Sequence, residues 1–251
     1  MLVLALDTST PSVTAGVVLL REPYEGITES GDAANSAHST RPGALLAERS
    51  VTDAFAHAER LMPLVTEALA ACGQTLHDLH AVVVGLGPGP FTGLRVGIAT
   101  AAALGDGLDI PAHGVPSHDG VARALAPLPG NTLVVTDARR RELYVSAYRP
   151  DGSRALGPLV AAPAAVPDLL ADNGFTAGYL TGAGAGLLDP QRAAAFDPAS
   201  VDSATASISL GLVERAAVSL LTGAVPGPLT PLYLRRPDAT APGAPKSVLG
   251  R

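Results

Sequence analysis

The glycine- and proline-rich segment 85–95, GLGPGPFTGLR, is the first candidate for chemistry. It stands between the apolar run HAVVV and the small-residue run VGIATAAALG, so it would join a strand to a helix, where proteins often hold phosphate. Its spacing fits neither standard phosphate loop, because no lysine follows Gly93 and Pro90 stands where a dinucleotide fingerprint needs its third glycine. Pro88 and Pro90 also remove two N–H donors. We interpret the segment as a rigid entry to a helix with Thr92 as its N-cap.

The helix behind this segment has a small residue at every fourth position. A glycine inside a helix costs roughly 1 kcal/mol, and close approach of another backbone is the usual compensation. Packing within the chain's own core and an intermolecular helix pair both fit the spacing, and spacing alone favours the core. The stripe consists of Gly93, Gly97, Ala101 and Gly105.

Three further turns carry polar or flexible residues. Asp7, Thr8 and Ser9 follow the apolar run MLVLAL; an aspartate there sits beside metal and phosphate in actin-like ATPases, but it is also ordinary turn chemistry. A glycine turn, Gly182 to Gly186, offers backbone to a nucleoside or is simply tight. A basic turn, Arg139 to Arg141, is either a solvated hairpin tip or a phosphate or carboxylate contact across an interface.

A metal site would need a second ligand near His57 in the segment HAERL. Two histidines four residues apart share a helix face, as in zinc helices, but the second position here is Leu61. His77 and His80 lie in a predicted loop. The sequence also has no Gly-x-Ser-x-Gly hydrolase elbow. We therefore predict neither a metal site nor catalytic residues.

The composition limits the classes of partner. The chain has 251 residues, 47% of them hydrophobic and 16% charged, and a formal net charge of −6. An acidic chain offers no global field for nucleic acid or anionic membrane, so an RNA contact would need a local patch or a partner's surface. It has one cysteine, no basic n-region and no apolar run near the roughly 20 residues of a spanning helix. We expect a cytoplasmic protein.

The elements that must position these residues come in two rounds. The first round has strands over 1–7 and 12–21 joined as a hairpin, an edge strand ALLAERS, a helix over 53–72 with a kink or break at Pro63, and a helix over 92–107. After PLPG the second round has the strands NTLVVTD and ELYVSAYRP and the amphipathic helix 207–221. We predict two α/β lobes and a disordered tail, with a long loop at 22–43. The boundaries are 1–126, 127–234 and 235–251.

Five segments together resemble the TsaB (YeaZ) family. They occur in the same order along the chain as in that family and span nearly the whole chain. They are LALDTSTPSVTAGVV, HAERLMPLVTEAL, GLGPGPFTGLRVGIATAAALG, DARRRELYVSAY and PLYLRRPD. The resemblance implies an α/β, actin-like fold of the ASKHA, ribonuclease H-like type, with two lobes and mixed sheets flanked by helices.

The resemblance also implies a function: a non-catalytic partner and activator of the transferase TsaD, which places threonylcarbamoyl on adenosine 37 of tRNA. The implied partners are TsaD in a heterodimer, the ATPase TsaE in a ternary complex, and a second copy through the same surface in isolation. tRNA would be met only through the complex, and no membrane is involved. The lone chain would hold no cofactor tightly, with ATP or ADP and Mg²⁺ entering at the level of the complex. The alternative is an actin-like ATPase or phosphotransferase that uses Asp7 and Thr8 with Mg-ATP; a metallopeptidase is weaker.

The family's interface helices correspond by position to residues 54–71 and 92–106. This shifts our interpretation of the small-residue stripe toward the intermolecular one, and we expect Gly97→Leu to abolish the complex with TsaD while sparing the fold. The interface residues so implied are His57, Leu61, Leu64, Gly93, Leu94, Gly97 and Ala101. The degenerate nucleotide site so implied consists of Asp7, Thr8, Ser9, Gly182 and Gly184. The roles of Arg139 to Arg141 and of the 22–43 segment stay open.

Overall fold

The computed structural model describes residues 1–21, 41–52, 57–189, 196 and 206–235. Most of the predicted 22–43 loop and residues 236–251 of the predicted tail therefore lie outside the described residues. Nine strands and five α-helices follow one another along the described chain. They are β1 (Leu2–Asp7), β2 (Ser12–Leu20), β3 (Gly43–Thr52), α1 (His57–Ala71), β4 (Ala81–Gly85), α2 (Phe91–Leu108), β5 (Ala112–Val115), α3 (Ser117–Leu125), β6 (Thr132–Asp137), β7 (Leu143–Tyr148), β8 (Arg154–Ala161), α4 (Val166–Asp172), β9 (Tyr179–Thr181) and α5 (Ile208–Leu221).

The first sheet has the strand order β3-β2-β1-β4-β5. The first three strands in the chain pair antiparallel, and β1, β4 and β5 run parallel. Every residue of β1 is buried because both faces are covered. Since side chains alternate along a strand, Leu4 and Leu6 pack with α1 and α2, whereas Val3 and Ala5 pack with α5. This sheet and its helices form lobe one.

The second sheet has the order β8-β7-β6-β9 and forms lobe two. One face packs against α4 through Leu133, Val145 and Leu170. The other face contacts α3, with Tyr148 and Val134 beside Ala122. The edge strand β8 was not predicted, because its sequence RALGPLVA contains Gly and Pro, which are depleted in strands and tolerated at sheet edges.

Helix α5 belongs to lobe one, which corrects the predicted boundary. Residues 127–234 were assigned to the second lobe, yet Leu212 and Val213 pack on Val3 and Val83 of the first sheet. The reason is that a parallel sheet needs cover on both faces, and α1 and α2 cover only one. After α5 the described chain extends to Arg235, whose guanidinium lies 3.3 Å from the Glu142 carboxylate.

Two local predictions about helices need correction. Helix α1 continues through Pro63, so of the predicted kink or break the break is absent. Helix α2 begins at Phe91 with Pro90 in the cap position and no side-chain cap bond, so Thr92 is not its N-cap. Within the described ranges, the helices are all too short or too polar to cross a bilayer.

Candidate functional site

Asp7 lies at the end of β1 and is held by hydrogen bonds from its own chain. Its Oδ1 accepts from the backbone N–H of Ser9 at 3.0 Å and from the Ser9 hydroxyl at 2.7 Å. Its Oδ2 accepts from the hydroxyl of Ser117, the first residue of α3, at 2.6 Å. That hydroxyl in turn accepts from the N–H of Gly87 at 3.1 Å. The carboxylate therefore joins β1, the 85–90 loop and α3.

Burial raises the pKa of the Asp7 carboxyl, although the hydrogen bonds from Ser117 and Ser9 act in the opposite direction. Desolvation disfavours the charged form, and it outweighs the three hydrogen bonds here. Three hydrogen bonds from the chain itself are thus made to this carboxyl group.

A cleft of about 380 Å³ lies between the lobes, with Asp7 in its wall. Its lining is rich in hydroxyl groups and carries two carboxylates, those of Asp7 and Glu48, but no lysine or arginine among the described residues. Among the described residues, such a wall offers a triphosphate no positively charged side chain. The polar lining consists of Asp7, Ser9, Thr10, Ser12, Thr14, Glu48, Ser50, Ser117, His118 and Thr136.

The predicted nucleotide-site residues divide into two groups. Asp7, Ser9 and Gly182 line the cleft together. Thr8 is turned away from it, because its hydroxyl donates to the Gly93 carbonyl at 2.7 Å in a fully buried contact. Gly184 packs on the backbone of β6, where a Cβ would clash. Thr8 and Gly184 are therefore packing residues, not cleft residues.

His118 spans the joint between the lobes. Its Nδ1 lies 2.8 Å from the Ser146 hydroxyl and its Nε2 lies 2.9 Å from the Thr136 hydroxyl. Burial, with a smaller contribution from the Arg154 charge, lowers the pKa of His118 to about 3, so the ring is neutral. Sequence reasoning missed this residue, because the run SHDG carried only the signal of a helix start.

The position of Leu61 provides no metal ligand. Its side chain is 1% exposed and lies in the core of lobe one. Among the described residues, no three His, Cys, Asp or Glu side chains come together in a way that could hold a metal ion. The side chain of His57 lies outside the described residues.

The small-residue stripe of α2 faces the interior, which corrects the predicted interface. Gly97 lies against the Thr8 hydroxyl, where a Cβ would clash, and Gly105 lies against the Ile110 carbonyl. A bare helix side lets α2 pack closely on β1 and β5, so the core interpretation was the right one. The prediction that Gly97→Leu spares the fold is wrong for the same reason. The residues wrongly placed at a surface are Leu61, Leu64, Gly93, Leu94, Gly97 and Ala101, all of them buried.

The opposite sides of α1 and α2 face solvent. Both helices lie on one face of the first sheet and contact each other. One exposed row on each helix recurs at four-residue spacing and is small or apolar, apart from Thr66 on α1 and Arg95 on α2. Exposed charged residues flank these rows, namely Glu59, Arg60, Glu67 and Asp106. Met62 is 37% exposed and Phe91 is 40% exposed. We call this surface the outer helical face; it consists of Met62, Thr66, Ala70, Phe91, Ala99 and Ala103.

Comparisons with known proteins agree with this architecture. The family model described as "TsaD: tRNA N6-adenosine threonylcarbamoyltransferase" matches residues 51–196. An uncharacterized protein of Mycobacterium tuberculosis is 47% identical over 237 residues, which is 94% of this chain and 93% of the relative. The "tRNA threonylcarbamoyladenosine biosynthesis protein TsaB" of Bacillus subtilis is 32% identical over 59% of this chain and 56% of its own length. The protein of that name from Escherichia coli is 37% identical over 38% of this chain and 42% of its own length.

Solved structures show the same fold. YeaZ from Pseudomonas aeruginosa is 24% identical, with a TM-score of 0.59 over 90% of this chain and 98% of that chain. A second Pseudomonas aeruginosa structure, of a protein similar to "peptidase YEAZ", gives a TM-score of 0.61 at 23% identity over 91% of this chain and 99% of that chain. The predicted fold class and family are confirmed. The TsaD family model matches the chain as well, because the two families are similar. The chain belongs to the TsaB (YeaZ) family and has the family's two-lobed α/β fold.

Proposed function

We propose that the chain is a non-catalytic partner and activator of TsaD in the formation of N6-threonylcarbamoyladenosine on tRNA. The names of the Bacillus and Escherichia relatives support the pathway, and the match to the TsaD family model supports the choice of partner. We propose further that TsaE joins this pair, that the chain pairs with itself when TsaD is absent, and that it works in the cytoplasm.

The outer helical face is the observation that carries the partner role. Two helices that contact each other both present small and apolar side chains to solvent, among them Met62 on α1 and Ala99 and Ala103 on α2. Small residues let a partner's helix come close, and an exposed methionine and phenylalanine supply apolar area for it to cover. We propose that TsaD docks here and that the same face joins two copies.

The chemistry of the cleft supports a non-catalytic role. Asp7 accepts three hydrogen bonds within the chain, and the cleft's described walls carry carboxylates without a facing cation. Leu61 occupies the place of a second histidine. We propose that the lone chain holds no nucleotide tightly, and that ATP or ADP with Mg²⁺ is held only where TsaD completes the site.

Co-purification with TsaD from the same organism tests the partner role. We expect the wild-type chain to co-elute with TsaD and the double variant Met62→Arg/Ala99→Arg to lose that complex, because two exposed apolar contacts become charged. The matched control is Val218→Arg on α5, which is 76% exposed and lies beyond the opposite face of the sheet. If the double variant keeps TsaD at the wild-type level, the outer helical face is not the docking surface.

The cleft favours one second candidate, because Asp7, Ser9 and Gly182 meet there as in an actin-like ATPase. Calorimetry of the lone chain with Mg-ATP separates the two functions. Weak or absent heat is the expected result. Tight binding with turnover by the lone chain would replace the partner role with the ATPase.

A further inference from the structure

After α5, the described chain crosses from one face of the first sheet to the other. Helix α5 covers the face that contains Val3 and Val83, whereas Leu229 packs with the core between the sheet and helices α1 and α2. We call residues 226–235 the crossing segment. Three of its residues are prolines, whose rings fix φ and stiffen the backbone. A stiff piece of chain therefore arrives beside the outer helical face.

Backbone and side-chain hydrogen bonds hold the crossing segment at two places. The N–H of Leu232 donates to the Leu86 carbonyl at 2.9 Å, within the glycine-rich segment of lobe one. Three residues later, Nη1 of Arg235 donates to the Ala138 carbonyl of lobe two at 2.8 Å. Tyr233 lies between these two attachments along the chain, so the position of its backbone is set from both sides.

The Tyr233 side chain stacks on Phe91, the first residue of α2, with ring centroids 4.8 Å apart. Arg95, one turn later in α2, contacts both rings. Its guanidinium lies 3.7 Å from the centroid of the Phe91 ring, and its Nε donates to the Tyr233 hydroxyl at 3.0 Å. These are the distances of an offset-stacked aromatic pair and of a cation–π contact. The Phe91 ring thus has one partner on its own helix and one on the crossing segment.

Phe91 also belongs to the outer helical face, where 40% of it is exposed. An exposed phenylalanine with nothing beside it exchanges among its staggered rotamers. A partner that docks on such a ring loses affinity, because ordering the side chain costs conformational entropy. Tyr233 and Arg95 remove that loss before docking, since they hold the ring in one orientation and still leave part of it exposed to a partner.

We propose that Tyr233 is a positioning residue for TsaD, because it holds the Phe91 ring in the orientation that TsaD contacts. The proposal rests on the proposed function for the identity of the partner and for the docking face. It assigns to Tyr233 no contact of its own with TsaD. The effect of Tyr233 on affinity must therefore pass through Phe91, and this requirement separates positioning from direct contact.

A double-mutant cycle in the binding of the full chain to TsaD from the same organism tests this requirement. Biolayer interferometry gives the dissociation constants of wild type, Phe91→Ala, Tyr233→Ala and the double variant. We expect Phe91→Ala to weaken binding about tenfold or more, and Tyr233→Ala to weaken it about three- to tenfold. In the Phe91→Ala background, we expect Tyr233→Ala to change the affinity by less than about twofold.

Two further variants separate positioning from a general loss of stability. Tyr233→Phe keeps a ring that can stack on Phe91, so it should recover most of the affinity that Tyr233→Ala loses. Tyr179→Ala is the matched control, because it removes a tyrosine of lobe two whose ring packs on Gly130. We expect the Tyr179→Ala variant to bind TsaD as tightly as the wild type does.

Four results would overturn the positioning role of Tyr233. They are equal losses from Tyr233→Ala with and without Phe91, an unchanged affinity in either single variant of the cycle, no recovery by Tyr233→Phe, and a loss in the Tyr179→Ala control as large as that in Tyr233→Ala. Equal losses in the two backgrounds would mean that Tyr233 contacts TsaD directly. Failure of the wild-type chain to bind TsaD would instead overturn the proposed function.

Discussion

At the scale of single residues, the Asp7–Ser9 turn packs closely against the glycine-rich segment and the helix that follows it. Gly85 faces the Asp7 carboxylate, Gly89 faces the Ser9 carbonyl and Gly97 faces the Thr8 hydroxyl. A Cβ at any of the three would clash with the residue it faces. The two sequence motifs are therefore one packed unit in which three glycines accommodate three successive residues of the turn.

A pair of glycines in α2 tests this packing. Gly97→Ala should lower the free energy of unfolding by about 1–3 kcal/mol, because the new Cβ meets the Thr8 hydroxyl. Gly107→Ala, in the same helix, meets nothing within 4 Å and should raise it by up to about 1 kcal/mol through helix propensity. Urea unfolding of both variants gives the comparison. Equal effects of the two substitutions would contradict the close contact at Gly97.

The sequence was enough to identify most of the site residues, but it could not predict which residues contact one another. Asp7, Ser9 and Gly182 were predicted as one site and do line one cleft. Thr8 was predicted with them, but a turn residue's side chain can point to either side, and only the packing of α2 decides which. His118 was missed because a lone histidine at a helix start carries no pattern; its partners Thr136 and Ser146 lie on separate strands.

At the scale of helices and strands, the continuous apolar runs of the sequence correctly predicted where the buried strands lie. The runs behind β1, β2 and β4 are continuous and became buried strands, and ALLAERS became the edge strand β3. Helix α2 shows the limit of periodicity. Its buried stripe is made of small residues, and its exposed row also contains small residues, Ala99 and Ala103. Spacing therefore cannot say which side faces solvent.

Helix α5 is fixed on lobe one by a buried ionic contact. The Glu214 carboxylate is fully buried and accepts from Arg41 at 2.8 Å and from Arg123 at 3.1 Å. Glu214→Ala should lower the free energy of unfolding by about 3 kcal/mol, since two guanidinium groups lose their buried partner. Val218→Ala, one turn later and 76% exposed, should change it by less than about 0.5 kcal/mol. Thermal or urea unfolding measures both changes in the free energy of unfolding. A Glu214→Ala variant as stable as the wild type would mean that apolar packing alone holds α5.

For the molecule as a whole, α3 is the joint between the lobes. Its first turn carries His118 and Asp119, and Asp119 accepts a hydrogen bond from Tyr148 of lobe two at 2.7 Å. Arg154 of lobe two lies 3.2 Å from the same carboxylate. Several buried polar contacts thus hold the two lobes together.

The neutral state of His118 makes this joint sensitive to acid. The folded protein keeps the ring neutral down to a pKa of about 3, whereas the unfolded chain takes up a proton near the ordinary value of 6.5. The free energy of unfolding should therefore fall as the pH drops from 6.5 toward 3, and His118→Gln should remove this part of the fall. His77→Gln, an exposed histidine, serves as the control. Parallel pH profiles for wild type and His118→Gln would contradict a neutral, buried ring.

The return of α5 to lobe one has a consequence for biosynthesis. Because β6 to β9 lie between α3 and α5 along the chain, the ribosome supplies all of lobe two before the helix that covers Val3, Ala5 and Val83. A nascent chain that has not yet reached residue 208 carries an apolar sheet face with no cover. Lobe two can mature during translation, while lobe one waits, so the uncovered face is the natural target for a chaperone and the first place where an interrupted chain would aggregate.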